Sequence, residues 1–301
     1  MPIRAWEAFL NLSHKMLPSF FVIGPPRTGT SWLHQVLKAR AILPDFKETR
    51  FFDLHFGRGL DWYIRHFPSC EESELPTGEV APTYFASPEA RKHIARTVPR
   101  AKVACIFRNP VERIVSLYRV KRAHGMIPWS FEEALFRDKE LLESSRYATH
   151  LEAWQQLLGK DQVLPTLYDD LQEAPQAYLD VLAGFLGIQK FTVPSAAMRR
   201  VHTSESLAQP RWHVVTHTGS RIAEWLKSRR LNGVVAGIRE SRIGEFLLAS
   251  GMPFEHVSPD LSQAVYDLIA DEIDRLEALL GWDLSRWRPS SSAVGQSCLL
   301  A

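Results

Sequence analysis

Residues 20–33 read FFVIGPPRTGTSWL, and this stretch decides the class of fold. The apolar run over 20–24 predicts a buried β-strand, and the apolar residues further on recur at helical spacing to about residue 39. A loop bounded by Gly24 and Gly29 lies between the strand and the helix. This order is that of a phosphate-binding loop, in which backbone N–H groups and the helix dipole meet an anion.

The loop departs from the nucleotide-hydrolysing pattern G-x-x-x-x-G-K-[ST] at one position. Thr30 stands where that pattern has lysine, and the loop carries its cation at Arg27 instead. Without the lysine, the loop is poorly suited to the β- and γ-phosphates and the magnesium of ATP or GTP. An arginine followed by the hydroxyls of Thr30 and Ser31 still suits a compact anion. A solvated arginine in a tight strand-to-helix turn is the alternative interpretation.

A second site of the same kind follows the apolar run 102–107, which predicts another buried strand. Arg108 comes directly after this run, at the end of a strand where ligands of open α/β sheets bind. Ser116 follows eight residues later, about two turns into a helix that Pro110 opens. Arginine offers a planar donor fork to a phosphate, and serine offers a hydroxyl. Two such sites in one sheet predict a ligand with two separated anionic groups.

The rest of the chain predicts an α/β fold, a three-layer sandwich around a central, mainly parallel sheet. A further strand is predicted over 162–168, although Pro165 counts against it, because proline belongs on edge strands or bulges. Helical patterns cover 3–17, 144–158, 171–187 and 261–280, with Gly187 and Gly281 as C-caps. We expect a single domain over 1–287 and a disordered tail over 288–301.

Composition excludes several classes of protein. The chain has 301 residues, a formal net charge of +2 and 45% hydrophobic residues, which argues against a general nucleic-acid binder. Three widely spaced cysteines, Cys70, Cys105 and Cys298, argue against a disulfide framework or a zinc site and favour a reducing compartment. No apolar run approaches the ~20 residues of a transmembrane helix. We therefore expect a cytoplasmic protein with no metal.

The paired motifs resemble those of the sulfotransferases that use 3′-phosphoadenosine 5′-phosphosulfate (PAPS). The loop 24–31 is similar to their 5′-phosphosulfate loop, and 108–116 is similar to their 3′-phosphate motif. The blocks 47–53 and 79–85 are similar to segments of heparan sulfate sulfotransferases. The arginine in the loop is a feature of many bacterial members.

The resemblance implies a role for each matching residue. Arg27 would lie near the bridging oxygen of PAPS and act electrostatically, because arginine does not give up its proton. Thr28, Gly29, Thr30 and Ser31 would hold the 5′-phosphate and the sulfate, and Arg108 and Ser116 the 3′-phosphate. No metal is implied.

Glu48 matches the general base of the heparan-type enzymes. The apolar neighbours Phe51 and Phe52 are consistent with partial desolvation, which makes a carboxylate a stronger base. A surface carboxylate is the alternative interpretation of Glu48. A histidine base is the second choice, with His55 and His66 nearest in sequence.

Two departures from the heparan-type pattern bear on the acceptor. Val80 stands where those enzymes commonly carry a lysine that could orient an acidic sugar, which argues against a sulfated glycan. In the later region, Arg211 is a candidate for the 3′-phosphate. Residues 199–242 hold nine Lys and Arg against three Glu, with apolar residues between them. This segment is either a lid or membrane-surface patch, or a solvated helical face over a core, which is the commoner case.

The predicted function is sulfuryl transfer from PAPS to a hydroxyl, less readily an amine, of a small molecule, lipid or saccharide. A P-loop kinase is one alternative, and a nucleotide-binding protein without catalytic activity is the other. Neither a nucleic acid nor a metal is an expected partner.

Overall fold

The computed structural model describes residues 17–68, 73–193, 197, 254 and 257–289. Most of the predicted N-terminal helix over 3–17, the basic segment 199–242 with Arg211, and the tail from residue 290 lie outside these described residues.

A four-stranded parallel sheet forms the centre of the fold, with the strand order β2-β1-β3-β4. The strands are β1 (Phe20–Gly24), β2 (Gly78–Val80), β3 (Lys102–Phe107) and β4 (Val163–Leu167). The parallel sheet predicted from the apolar runs is confirmed. Pro165 lies on β4, an edge strand, as expected of a residue that cannot donate to a ladder on both sides.

Helices connect the strands, and their bounds follow the chain: α1 (Thr30–Leu37), α2 (Leu60–Ile64), α3 (Pro88–Thr97), α4 (Pro110–Ala123), α5 (Phe131–Arg137), α6 (Lys139–Glu143), α7 (Tyr147–Leu158), α8 (Tyr168–Glu173), α9 (Pro175–Leu186), α10 (Pro259–Asp267) and α11 (Ala270–Leu280). A π-helical turn over Phe51–His55 precedes a 3-10 turn over Phe56–Arg58. Within the described ranges, none of these helices has the length and apolar character needed to span a bilayer.

Successive side chains point to opposite faces of the sheet, and the apolar residues on each face pack against other elements. On one face, Phe20 and Val22 of β1 and Ile106 of β3 pack in a core with residues of α1 and α9. On the other face, the Phe21 ring lies 5.4 Å from the Phe52 ring, and the Phe107 ring stacks 4.8 Å from Tyr147. The predicted three-layer arrangement is thereby confirmed.

The chain divides into two compact units. The first contains the described residues up to Asn109, those from Ser144 to 197, and Asp271–Trp282, and it holds the whole sheet. The second contains Pro110–Glu143, the described residues between 254 and 270, and those from 283 to 289. A single domain over 1–287 stays a prediction.

The helix predicted over 171–187 is in fact two helices, α8 and α9. They break at Pro175, which opens α9 and has no N–H to continue the hydrogen-bond ladder of α8. The predicted C-caps are confirmed: Gly187 ends α9 with φ 75°, and Gly281 follows α11 with φ 67°. The pattern gave no signal for β2, because three residues are too few to show a period.

Candidate active site

The loop between β1 and α1 needs glycine at both of its ends. Gly24 and Gly29 have φ values of 78° and 80°, in the left-handed region that side chains rarely adopt. A Cβ at Gly24 would lie 2.6 Å from Cβ of Pro82, and one at Gly29 would lie 2.8 Å from Cδ2 of Leu171. The two glycines that defined the motif are therefore required by backbone conformation and by close packing.

The three hydroxyl residues of the motif, Thr28, Thr30 and Ser31, differ in their burial and in their hydrogen bonds. Thr28 is fully buried, and its Oγ1 donates to the carbonyl of Pro25 at 2.7 Å, which closes the loop on itself. Its hydroxyl proton is therefore used inside the protein, and any donation by Thr28 to an anion would have to come from its N–H. Thr30 is buried and Ser31 is exposed at the first turn of α1. At that turn the N–H groups have no partner within the helix.

The two predicted anion sites meet at the ends of neighbouring strands. Nη1 of Arg108, directly after β3, lies 3.5 Å from the carbonyl oxygen of Arg27, in the loop that follows β1. The Arg108 guanidinium also lies 5.0 Å from the ring centroid of Tyr168, and the backbone carbonyl of Arg108 accepts from the Tyr147 hydroxyl at 3.0 Å. The guanidinium is thus held against the loop rather than extended into solvent.

The strand order predicts a ligand crevice at this edge of the sheet. After β1 the chain forms β2 on one side of it and then crosses to form β3 on the other side. Connections that leave in opposite directions open a crevice at the carboxyl ends of the strands, where ligands of open α/β sheets bind. Both the loop and Arg108 stand at this point.

Glu48 is joined to the loop through the neighbouring Lys47. The Lys47 ammonium lies 2.9 Å from Oε1 of Glu48, and 3.3 Å from both Oγ1 of Thr30 and Oγ of Ser31. The side chains of the Lys47–Glu48 pair are 21% and 27% exposed. The structure therefore brings the predicted base to the hydroxyls that open α1, with a lysine between them.

A buried carboxylate holds the segment that carries Glu48. Glu79 is fully buried, and its Oε1 accepts from the backbone N–H of Thr49 at 2.9 Å and from the Thr49 hydroxyl at 2.7 Å. Its Oε2 accepts from the hydroxyl of Tyr63 at 2.7 Å, and the hydroxyl of Tyr84 contacts both oxygens. Burial raises the pKa of the Glu79 carboxyl to about 6, against the opposing effect of these hydrogen bonds.

Left-handed backbone occurs in the loop after β1 and in the segment that carries Glu48. Among the described residues, three that are not glycine have positive φ: Arg27 at 74°, Glu48 at 67° and Arg50 at 55°. Such residues store about 1–3 kcal/mol of strain each and cluster at functional sites. Two of them are the residues predicted for catalysis, and Glu79 holds Thr49 between the second and the third.

The two histidines considered as bases are packed residues. His66 is 5% exposed, and its ring lies 4.3 Å from Trp62 and 5.0 Å from Phe46. The His55 ring lies 5.4 Å from Trp62, and burial, followed by the Arg58 charge, lowers the pKa of His55. Both rings therefore pack against aromatic side chains.

Some predictions remain outside what the geometry tests. Ser116 lies on α4, half-buried, in the second unit, so its approach to a 3′-phosphate stays a prediction. The same holds for Arg211, which is outside the described residues. Among the described residues, no cluster of three or more His, Cys, Asp or Glu could hold a metal ion.

Sequence reasoning missed three residues of the site: Lys47, Glu79 and Tyr168. Lys47 and Glu79 belong to the similar blocks 47–53 and 79–85, but the sequence alone indicated no role for either. Tyr168 had no signal at all, since it is a strand-end tyrosine far from both motifs in sequence.

A family model described as "Sulfotransferase domain" matches residues 17–217. The chain is 29% identical over 198 residues to the bifunctional heparan sulfate N-deacetylase/N-sulfotransferase 2 of Bos taurus, a match that covers 58% of this chain and 22% of that protein. It is 32% identical over 197 residues to the corresponding enzyme 3 of Homo sapiens, covering 57% and 22%. The matched region thus spans about a fifth of the length of these curated relatives.

A solved structure is also similar, a sulfotransferase from Alicyclobacillus acidocaldarius. The TM-score is 0.64 at 21% identity, and the match covers 90% of this chain and 98% of that one. At this identity, the likeness demonstrates a shared fold.

Proposed function

Because the chain belongs to the sulfotransferase domain family, we propose that it transfers a sulfuryl group from PAPS to an acceptor hydroxyl, less readily to an amine. The observation that carries the proposal is the contact of Nη1 of Arg108 with the carbonyl of Arg27 at 3.5 Å. It brings together the two segments predicted to bind anions, and a donor with both a 5′-phosphosulfate and a 3′-phosphate supplies two separated anionic groups.

The residues support an in-line reaction. The acceptor oxygen forms a bond to sulfur while the bond from sulfur to the 5′-phosphate oxygen breaks, and the electron pair leaves with the phosphate. Glu48 takes the acceptor proton, and Arg27 and the N–H groups at the start of α1 neutralise the charge that grows on the phosphate. PAPS is the sulfuryl donor, and this scheme assigns no step to a metal.

For the acceptor, a small molecule, a lipid or a saccharide fits a hydroxyl nucleophile. The names of the heparan sulfate relatives favour a saccharide. Val80 counts little against a saccharide, because it is fully buried in the hydrophobic core. A cytoplasmic location, the absence of a nucleic-acid partner and any contact of 199–242 with a membrane stay predictions.

Donor binding can be tested without knowing the acceptor. Calorimetry with adenosine 3′,5′-bisphosphate should give a stoichiometric site in the wild type, and Arg108→Ala should weaken it by about tenfold to a hundredfold, the usual value of a hydrogen bond to a charged group. Arg100→Ala, at an exposed arginine before β3, is the matched control and should bind as the wild type does. No binding to the wild type, or equal binding to Arg108→Ala, would remove the two-site proposal.

Turnover requires a screen of hydroxyl and amine acceptors with labelled PAPS. With an acceptor in hand, Glu48→Gln should lower kcat by about 10²–10⁴, the usual contribution of a general base. Glu74→Gln, at an exposed glutamate, serves as the control. If Glu48→Gln turns over as fast as the wild type, another group takes the proton.

A further inference from the structure

Lys47 occupies an unusual position between the predicted base and the anion loop. Its ammonium has three donors, and three acceptors surround it: Oε1 of Glu48 at 2.9 Å, and the hydroxyl oxygens of Thr30 and Ser31, each at 3.3 Å. Two of these acceptors open α1. The third belongs to the residue that would take the acceptor proton.

This position restores the charge that the loop lacks. In the nucleotide-hydrolysing pattern, the lysine follows the second glycine, where this chain has Thr30. The Lys47 ammonium lies 3.3 Å from Oγ1 of Thr30. A cation therefore reaches the same turn of α1, although Lys47 is 17 residues beyond Thr30 in the chain. Arg27 supplies the other positive charge, from within the loop.

The other basic groups near this turn do not replace Lys47. Burial lowers the pKa of His34, one turn further along α1, to about 4, with smaller contributions from Lys38 and Lys47. His34 is therefore neutral near pH 7. Lys38 is exposed beyond the end of α1.

Resting on the proposed function, we propose that Lys47 is a catalytic residue that donates hydrogen bonds to the sulfuryl group in transfer and links that group to Glu48. In the reaction, the acceptor proton goes to the Glu48 carboxylate, and the electron pair of the broken bond goes to the 5′-phosphate. The ammonium keeps its protons and neutralises the negative charge on the sulfuryl oxygens.

The proposal predicts that a change at Lys47 affects the affinities of two ligands unequally, and these ligands differ only in the sulfuryl group. PAPS carries the group that Lys47 contacts, and adenosine 3′,5′-bisphosphate does not. In calorimetry without acceptor, Lys47→Met should raise the ratio of the PAPS dissociation constant to that of the bisphosphate by about tenfold or more. Lys47→Arg, which keeps the charge, should recover part of this ratio. Lys38→Met is the matched control and should leave the ratio unchanged.

Turnover provides a second readout, with an acceptor from the screen. Lys47→Met should lower kcat by about 10²–10³ while the affinity for the bisphosphate stays within about threefold of the wild type. If Lys47→Met keeps the wild-type ratio, or weakens both ligands equally, Lys47 does not contact the sulfuryl group and the inference fails. If the wild type binds neither ligand, the proposed function fails instead, so the two results are distinct.

Discussion

Replacement of the buried carboxylate Glu79 by glutamine should remove a pH-dependent part of the stability. Burial raises the pKa of this carboxyl from 4.5 to about 6, because desolvation outweighs the hydrogen bonds from Thr49, Tyr63 and Tyr84. The folded protein therefore binds this proton more tightly than the unfolded chain does. The carboxylate costs stability above the folded pKa, and that cost disappears as the pH falls through about 6 towards 4.5.

The magnitude follows from the two pKa values. The full difference between 4.5 and about 6 corresponds to about 2 kcal/mol, and more than half of it, about 1 kcal/mol, is realised between pH 8 and pH 5. A neutral glutamine does not titrate, and it keeps one acceptor for Thr49 while its amide can donate to a tyrosine hydroxyl. The free energy of unfolding of Glu79→Gln minus that of the wild type should therefore be about 1 kcal/mol more favourable at pH 8 than at pH 5.

Urea unfolding of both proteins at pH 5 and pH 8 measures this difference, since the other titrating groups are common to the two and cancel. Glu74→Gln, at an exposed glutamate, is the control and should show no such change between the two pH values. A stability difference between Glu79→Gln and the wild type that is the same at both pH values would refute the argument. Glu79→Ala should lose stability at both pH values, because it leaves the buried donors of the network without their acceptor. Since alanine does not titrate either, this loss should be about 1 kcal/mol smaller at pH 8 than at pH 5.

Three further outcomes are expected around the loop. Gly29→Ala should lower both the stability of the fold and the affinity for adenosine 3′,5′-bisphosphate. The alanine would have to adopt left-handed backbone, and its Cβ would lie 3.0 Å from a ring carbon of Tyr168. Thermal unfolding measures the first effect and calorimetry the second. Thr28→Val should destabilise the fold by about 1–3 kcal/mol in urea, since the buried carbonyl of Pro25 loses its donor, and an unchanged midpoint would contradict the assigned contact. Tyr168→Leu should weaken bisphosphate binding several-fold and leave the unfolding midpoint nearly unchanged, because it removes the ring beneath the Arg108 guanidinium; full affinity in this variant would show that the ring does not position the arginine.

The local elements of the site could be predicted from the sequence. Apolar runs define β1 and β3, Gly24 and Gly29 bound the loop, and Arg108 follows the second strand. Each of these depends on side-chain period, backbone sterics or chain adjacency within a few residues. These features can therefore be predicted from the sequence alone.

Contacts across the sheet edge were decided by tertiary structure alone. Lys47 reaches Thr30 over 17 residues, Glu79 holds Thr49 over 30, and Arg108 contacts the carbonyl of Arg27 over 81. No local pattern encodes these distances, because they depend on strand order and on which segments the parallel sheet brings to one edge. The sequence by itself determined a phosphate-type loop that lacks its lysine, and the tertiary structure decided that another lysine lies beside it.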